Sequence, residues 1–498
     1  MKNILLGLSM AALMLMTACT DNTNFLYGDV IDKYNNKPVE GCVVTLESGN
    51  GVVMETQTTG ADGRWGFEVE VGTYTVAFNK NGYAPIEEED ICIEYNKTKV
   101  KLTTILGESS SEVDSEWFED GASKFAAGDG TAAKPYIIKS SKQLKLIAEN
   151  SDMHFKLVND IDLKNKKWTP IEEFSGTFDG DGYTIHNLRV EGNTSNGLFG
   201  KVSGNVKNLN IKGVYIVGDN SGAIAGRLLN GAIIEKCKTT LTDGSLIRGK
   251  YAGGIVGSLE SSSYNSYIAI ENCITESKAS NAVINGTYVG GIAGKASLAT
   301  SSSTNSTIKN CDSFCNIYGE SYVGGICGYV YGGMSIEYCR YDGNISGTLY
   351  VGGIVGYDYY STIIGCKASG NIEGDNYIGG ICGDNSSGKI IASYSNCNIT
   401  ASLAASYIGG ITGNSNGSIY LSYSTTVCNH DKFQPIGSSK NSQINCYSVY
   451  DTKDIAEKMF EAYSDYAEYW NFDNVWYWEG QINGSKKQVR CPKLVWEM

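Results

Sequence analysis

Apolar residues follow two rhythms along this 498-residue chain and show the helical one only in short stretches. From Leu26 to Leu106 they alternate with polar ones over short runs such as "FEVEV" and "YTVAF", separated by turn signals at Pro38, Asp62–Gly63 and Gly82–Tyr83. A period of two gives each strand one buried face, and Pro, Asp and Gly supply the turns between strands. The pattern predicts a small β-sandwich over residues 25–106. Residues 107–116, "GESSSEVDSE", lose the apolar positions and read as a linker. Beyond residue 117 the apolar runs shrink to a few residues broken by Gly, Asn and Ser. Helical spacing is confined to Ser141–Glu149, behind a Ser cap, and to a stretch inside 453–498, predicted to be a C-terminal helical cap.

Between residues 117 and 452 two phrases recur. One reads "YVGGICG" at Tyr322 and returns with small changes at Tyr251, Tyr288, Tyr350, Tyr377 and Tyr407. The other is an "I-x-N-C" type strand, which places Leu188, Leu209, Cys237, Cys273, Cys311, Cys339, Cys366, Cys397, Thr426 and Cys446 in one column. Most steps span about 27 to 31 residues, the length of a unit that buries its core only against its neighbours. Helical repeats need long 3.6-period runs, which are missing, so each unit is one coil of a parallel β-solenoid with three short strands. Equivalent residues of successive coils then lie ~4.8 Å apart, and roughly ten coils make a rod about 50 Å long. Right-handedness follows by analogy with parallel crossover connections.

The order of Gly28, Pro38, Gly41, Asp62–Gly63, Gly72, Tyr74 and Gly82–Tyr83 resembles the carboxypeptidase regulatory-like family. That resemblance implies an immunoglobulin-like sandwich serving as a spacer or accessory unit, with no catalysis. The succession "FAAGDGTAAKPYII", "FSGTFDGDGYTIHNL" and "GLFG" at Gly197–Gly200 resembles the start of the GLUG-motif proteins, and the resemblance covers about two-thirds of the chain. These are bacterial surface proteins that include repeats found beside IgA-protease domains. The family implies a right-handed β-helix and a surface location. The whole chain is thus read as all-β: an immunoglobulin-like sandwich, a β-helix over 117–452 and a helical cap.

Residues 1–18 begin with a basic residue, continue apolar and end in small residues before Cys19, as a secretion signal does. "MTAC" resembles a lipobox, with Met16 where Leu is usual. Cys19 is accordingly read as the lipid-modified first residue of the mature chain, in preference to an ordinary cleaved signal with an incidental cysteine. The expected location is the outer membrane or cell surface, through that anchor.

Composition narrows the partners. A net charge of −14 without any Lys/Arg cluster argues against nucleic acid, and likewise against an anionic glycan. A neutral glycan or a host or bacterial surface protein remains. The 60 glycines and 33 tyrosines match a strand-and-turn protein.

No cofactor or metal is expected. The "GGIxG" phrase lacks the glycine spacing and following helix of a phosphate loop, and "GGICGD" at Gly379–Asp384 lacks that of a calcium β-roll. "GNSNG" at Gly413–Gly417 matches the nucleophile-elbow pattern only in letters, since the preceding coil has "GDNSSG" at this corner. His154, His186 and His430 are followed by Phe, Asn and Asp, so the H-E-x-x-H zinc site of the family's protease companion is missing. One cysteine per coil draws a line rather than a tetrahedral cage, and the thiols read as packed core in preference to inter-coil disulfides. Asp312, Asp342, Asp358, Asp375 and Asp384 fall at different phases of the coil and form no pair for glycoside chemistry.

The tyrosines remain. Tyr251, Tyr288, Tyr322, Tyr350, Tyr377 and Tyr407 share one repeat position and should stack as a ladder, which would stabilise the solenoid or offer an aromatic platform. Longer polar insertions follow the phrase in two coils, and Tyr264, Tyr267, Tyr329, Tyr331, Tyr357, Tyr359 and Tyr360 gather near that corner as candidate ligand-binding residues. The reading is a lipid-anchored adhesion or binding module without catalysis. The alternatives are a β-helix hydrolase or lyase and a purely structural surface component.

Overall fold

The structure, a computed structural model, describes residues 24–32, 37–48, 53–80, 86–93, 99–106, 124–192, 194–261, 263, 267–299, 306–439, 444–448, 476–477 and 493–494. The signal segment, Cys19, the linker and Tyr264 lie outside these residues. So does the predicted C-terminal helix: of 453–498, only Trp476–Tyr477 and Lys493–Leu494 are described, as an antiparallel pair. The chain divides into two units, Met1–Val113 and Asp114–Met498.

The first unit is an immunoglobulin-like sandwich of two sheets. Arg64–Val69, Asn24–Asp32 and Lys99–Leu106 form one; Val53–Thr58, Val43–Ser48, Gly72–Asn79 and Ile86–Ile93 form the other. The alternation seen in the sequence buries Leu26, Val30, Val44, Leu46, Phe67, Val76 and Phe78 between them. Trp65 meets Phe78 edge-on at 5.4 Å, and the Tyr74 hydroxyl donates to the Glu70 carbonyl at 3.0 Å.

The second unit is a continuous ladder of 39 strands, parallel wherever coil stacks on coil. At its start, Ser140 caps a helix over Ser141–Leu146 by accepting from the Gln143 amide at 3.4 Å, and a 3-10 turn extends it over Ile147–Glu149. Leu144 and Ile147 join the core of the coils. A representative coil runs Met334–Glu337, Arg340–Gly347, Tyr350–Gly352 and Val355–Tyr359. It therefore holds four strands, not the predicted three. The "GGI" phrase bends the chain at Gly353–Ile354 between two of them.

Stacking sorts residues into columns. Ile234, Ile270, Ile308, Ile336, Ile363, Ile390 and Ile419 lie in register and fully or almost fully buried. Each such side chain contributes about 1.5–3 kcal/mol by its burial. Glycine is required where the bend crowds the next coil: a Cβ on Gly325 would overlap the Gly353 carbonyl and the Tyr341 ring. The backbone there is not in the left-handed region, so space, not conformation, selects glycine.

The column read from the cysteines is real but differs at its end. Leu188, Leu209, Cys237, Cys273, Cys311, Cys339 and Cys366 each follow a residue at positive φ: Asn187, Asn208, Lys236, Asn272, Asn310, Tyr338 and Gly365, with values from 50° to 61°. The equivalent residues of the next two coils are Ala392 (φ 48°) and Leu421 (φ 50°), so the column continues through Ser393 and Ser422, which pairs with Cys446. Cys397 stands instead in register with Gly370, and its amide donates to the Thr426 hydroxyl at 3.2 Å. "SNCN" resembles the repeat phrase in letters, but the flanking isoleucines place it four residues late. The column thiols are unbridged and point at main-chain carbonyls, as Cys311 Sγ does at Ile270 and Lys309 (3.5 and 3.2 Å). Burial pushes the Cys311 and Cys339 thiols well up from their ordinary range.

Gly325→Ala is expected to destabilise the solenoid by ~3 kcal/mol in urea unfolding, through overpacking against backbone. Cys327→Val, which copies the in-register Val355 of the next coil, should cost less than about 1.5 kcal/mol.

Candidate functional site

The bend at each "GGI" phrase turns two strand series toward one another, and their outward residues meet at the corner. On one side stands the predicted ladder. Tyr251, Tyr288, Tyr322, Tyr350, Tyr377 and Tyr407 are half-buried and stacked, with successive ring centroids 5.0, 4.6, 5.1, 4.8 and 4.4 Å apart. Each aromatic pair adds about 0.5–1.5 kcal/mol beyond its area burial, so the ladder also stabilises the stack.

On the other side, alternation along Cys327–Tyr331 sends Cys327 and Val330 inward and Tyr329 and Tyr331 outward. Tyr329 stacks on Tyr357 at 5.2 Å and 6°, and Tyr331 on Tyr359 at 5.1 Å and 10°. Tyr329 and Tyr357 also press edge-on into the first ladder, Tyr329 at 5.6 and 5.2 Å from Tyr288 and Tyr322, and Tyr357 at 5.3 Å from Tyr350. The result is a herringbone of rings around the corner, extended by Tyr360 edge-on to Tyr359 at 4.5 Å. Tyr331 and Tyr360 are its most open members, 37% and 50% exposed. Tyr360 and Tyr377 hold positive φ, 68° and 50°, which costs a bulky side chain about 1–3 kcal/mol and is sustained by the surrounding stack.

Tyr267, exposed, does not join this cluster. It lies at the corner register of Tyr360 three coils earlier, about 14 Å away along the stack. Its amide donates to Asn230 Oδ1 at 3.0 Å. Of the seven candidate binding residues, the structure therefore brings together five.

The phenols sit in a low-dielectric setting. Burial, with the neighbouring rings for Tyr329 and the Asp384 carboxylate for Tyr350, pushes both up to about 12, so both remain neutral hydrogen-bonding groups at physiological pH. The Tyr357 hydroxyl donates to Ser386 Oγ at 3.2 Å.

Sequence reasoning missed what ends the two outer columns. In register before Tyr329 and Tyr331 stand Lys295 and Ser297. With one face of each ring stacked on the following coil, the other face of Tyr329 and Tyr331 is turned to this preceding coil. Tyr288, Lys295, Ser297, Tyr329 and Tyr331 line a shallow groove there of about 260 Å³. Lys295 leans away from it, its Nζ 5.0 Å from the Tyr251 ring centroid. Alignment of the coils on "GGIAGKAS" and "GGICGYVY" would have shown the substitution.

Of the carboxylates weighed from sequence, Asp358 and Asp384 lie near enough in adjacent coils to influence one another, and the others stand apart from them. Asp312 pairs with Arg340 at 3.0 Å, Asp342 and Asp375 are exposed, and Asp384 accepts from Asn414 Nδ2 at 3.1 Å. Asp358 points into the core, fully buried behind Tyr357 and Tyr359, and accepts from the Ser361 amide at 3.0 Å. Ser415 of "GNSNG" is buried in the corner turn, and a strand, Ser418–Ser424, follows it instead of a helix. Among the described residues no three His, Cys, Asp or Glu side chains converge as a metal site would need.

Fold and surface together define a parallel β-solenoid with an aromatic corner, in a chain that also holds an immunoglobulin-like module. Residues 26–106 match the carboxypeptidase regulatory-like domain, and residues 347–373, the coil that includes Tyr350, Tyr357, Tyr359 and Tyr360, match the GLUG motif. The chain carries both. Similar proteins include halomucin of Haloquadratum walsbyi, 28% identical over 254 residues, and a Gly-rich membrane protein of Evansella cellulosilytica, 36% identical over 124 residues. These alignments cover 46% and 22% of this chain but only 3% and 14% of those proteins. A crystal structure from Bacteroides ovatus, described as an immunoglobulin A1 protease, superposes with a TM-score of 0.40 at 18% identity, covering 75% of this chain and 95% of its own.

Asp358 gives this region a pH signature. Burial pushes its carboxyl from 3.8 up to about 6, against the lowering effect of Ser361. An acid whose folded pKa is raised contributes full stability below 3.8 and loses it as pH rises through about 6, a loss on the order of 3 kcal/mol. In the next coil Asn385 makes the same turn bond uncharged, to the Gly388 amide at 2.9 Å. Asp358→Asn should therefore raise the thermal midpoint at pH 7 and leave it unchanged near pH 4.

Proposed function

We propose that this protein is a lipid-anchored surface module that recognises a glycan on the tyrosine corner of its solenoid and performs no catalysis there. The observation that carries this reading is the continuous herringbone of rings ending in an open groove. Ring faces stack on the apolar faces of sugars while phenols and Ser297 offer hydrogen bonds, and half-buried, mutually packed tyrosines lose little side-chain freedom on binding. A rigid ladder rising by one coil at a time suits a polymer of regular repeat better than a single small molecule.

Against a hydrolase, Asp358 faces the core and Asp384 is held by Asn414, so the described acids offer no pair flanking one substrate position. Nucleic acid is disfavoured by the overall charge of −14. The resemblance to a Gly-rich membrane protein supports a membrane-associated location, and Cys19 supplies the proposed anchor. The immunoglobulin-like unit then serves as a spacer between anchor and solenoid.

Two experiments test this. Purified protein is presented to a panel of polysaccharides and to cell-surface proteins, with retention and product release read together. Retention on a polysaccharide without products is expected, falling at least tenfold in the double variant Tyr331→Ala/Tyr359→Ala, with only the fall of a few degrees in thermal midpoint that loss of one ring pair brings. Product release would favour an enzyme, retention only on proteins a protein adhesin, and no retention a structural component. Separately, Cys19→Ala should move the chain from the membrane fraction to the soluble one; an unchanged membrane fraction would refute the anchor.

A further inference from the structure

The groove at the end of the tyrosine columns has a charge that the remainder of the herringbone lacks. Lys295 borders it, and Lys250 lies close by, its Nζ 5.3 Å from the Tyr251 ring that Lys295 also approaches. Among the described residues neither ammonium has a carboxylate within ion-pair distance. Of the nearby acids, Glu260 pairs with Arg227 at 3.6 Å and accepts from Ser258 at 3.0 Å, while Glu320 accepts from the Thr287 hydroxyl at 3.1 Å and keeps its charge. Further toward the start of the stack, the column holding Lys295 and Tyr329 continues as Ser258, Arg227 and Lys201; in the opposite direction it passes Tyr357 to Asp384. The column thus grades from cations through aromatic rings to an acid.

We infer that the sugar bound in this groove carries a carboxylate: it stacks on the free faces of Tyr329 and Tyr331 and sets its anionic group against the Lys295 ammonium. This deepens the glycan reading and rests on it. The net charge of −14 is a sum over the whole chain, whereas at physiological ionic strength an exposed charge is felt over only about 8 Å. Lys295 lines the groove itself, and Glu260, which stands in register with the groove's Ser297, is paired with Arg227. Lys295 is poised rather than consumed: its contact with Tyr251 is a cation–π interaction worth about 0.5–1 kcal/mol at an exposed site, weak enough to yield to a carboxylate.

The test compares a matched pair of polymers, polymannuronate and neutral mannan, on the full chain. Polymannuronate is expected to bind at least tenfold more tightly, with an affinity that declines as NaCl is raised from 50 to about 500 mM. Lys295→Gln should reduce it to the level at which the same variant binds mannan, and Lys295→Arg should restore the preference, which separates a charge effect from a folding defect. Equal or tighter binding of mannan, or a preference that survives Lys295→Gln, overturns the acidic-sugar inference and leaves the glycan reading standing. Failure to bind any polysaccharide overturns both.

Discussion

Each coil of the solenoid satisfies its backbone hydrogen bonds, and buries its apolar face, only on the coils before and after it. Everything else in this structure depends on that in-register stacking. A residue's nearest neighbours are its own repeat equivalents, so each position must suit a column and not merely a site. The isoleucines from Ile234 to Ile419 satisfy this by repetition. Where a column changes size, another must compensate: Thr239, Thr275 and Ser313 give way to Tyr341, whose ring rests against Gly325 and whose hydroxyl donates to the Cys315 carbonyl at 3.0 Å.

The same constraint builds the surface. Tyrosines in register stack whether or not a ligand exists, and a ring inside a stack has both faces covered. Faces become available only where a column is interrupted. That is why the end of the Tyr329 and Tyr331 columns at Lys295 and Ser297 is more informative than the long ladder of six. Regularity supplies rigidity, and a break in regularity supplies a place to bind. Asp358 shows the converse inside the core, where an apolar column of Leu228, Leu259, Ala296 and Val330 yields to a polar series that caps the corner turns.

Much of this was legible in the residues, because the repeat period writes columns directly into the sequence. The ladder from Tyr251 to Tyr407 could be placed rung by rung. The cysteine column could be followed as far as Cys366 and then slipped to Cys397, since the letters of a phrase were matched where the spacing of the buried isoleucines decides the register. The left-handed residue before each column cysteine was also hidden: Asn suggests it, but Lys236, Tyr338, Ala392 and Leu421 adopt it with no such cue, held there by the coils on either side.

By itself the sequence determined which residues share the tyrosine ladder, which share the cysteine column as far as Cys366, and that the front module is a separate sandwich, because all three depend on periodicity along one chain. The tertiary structure alone decided what happens across a corner. How sharply the "GGI" bend turns sets whether Tyr329 meets Tyr322 edge-on, whether Lys295 turns toward Tyr251 and opens a groove, and whether Asp358 faces solvent or core. Those outcomes depend on the angle between strands that no spacing in the sequence encodes.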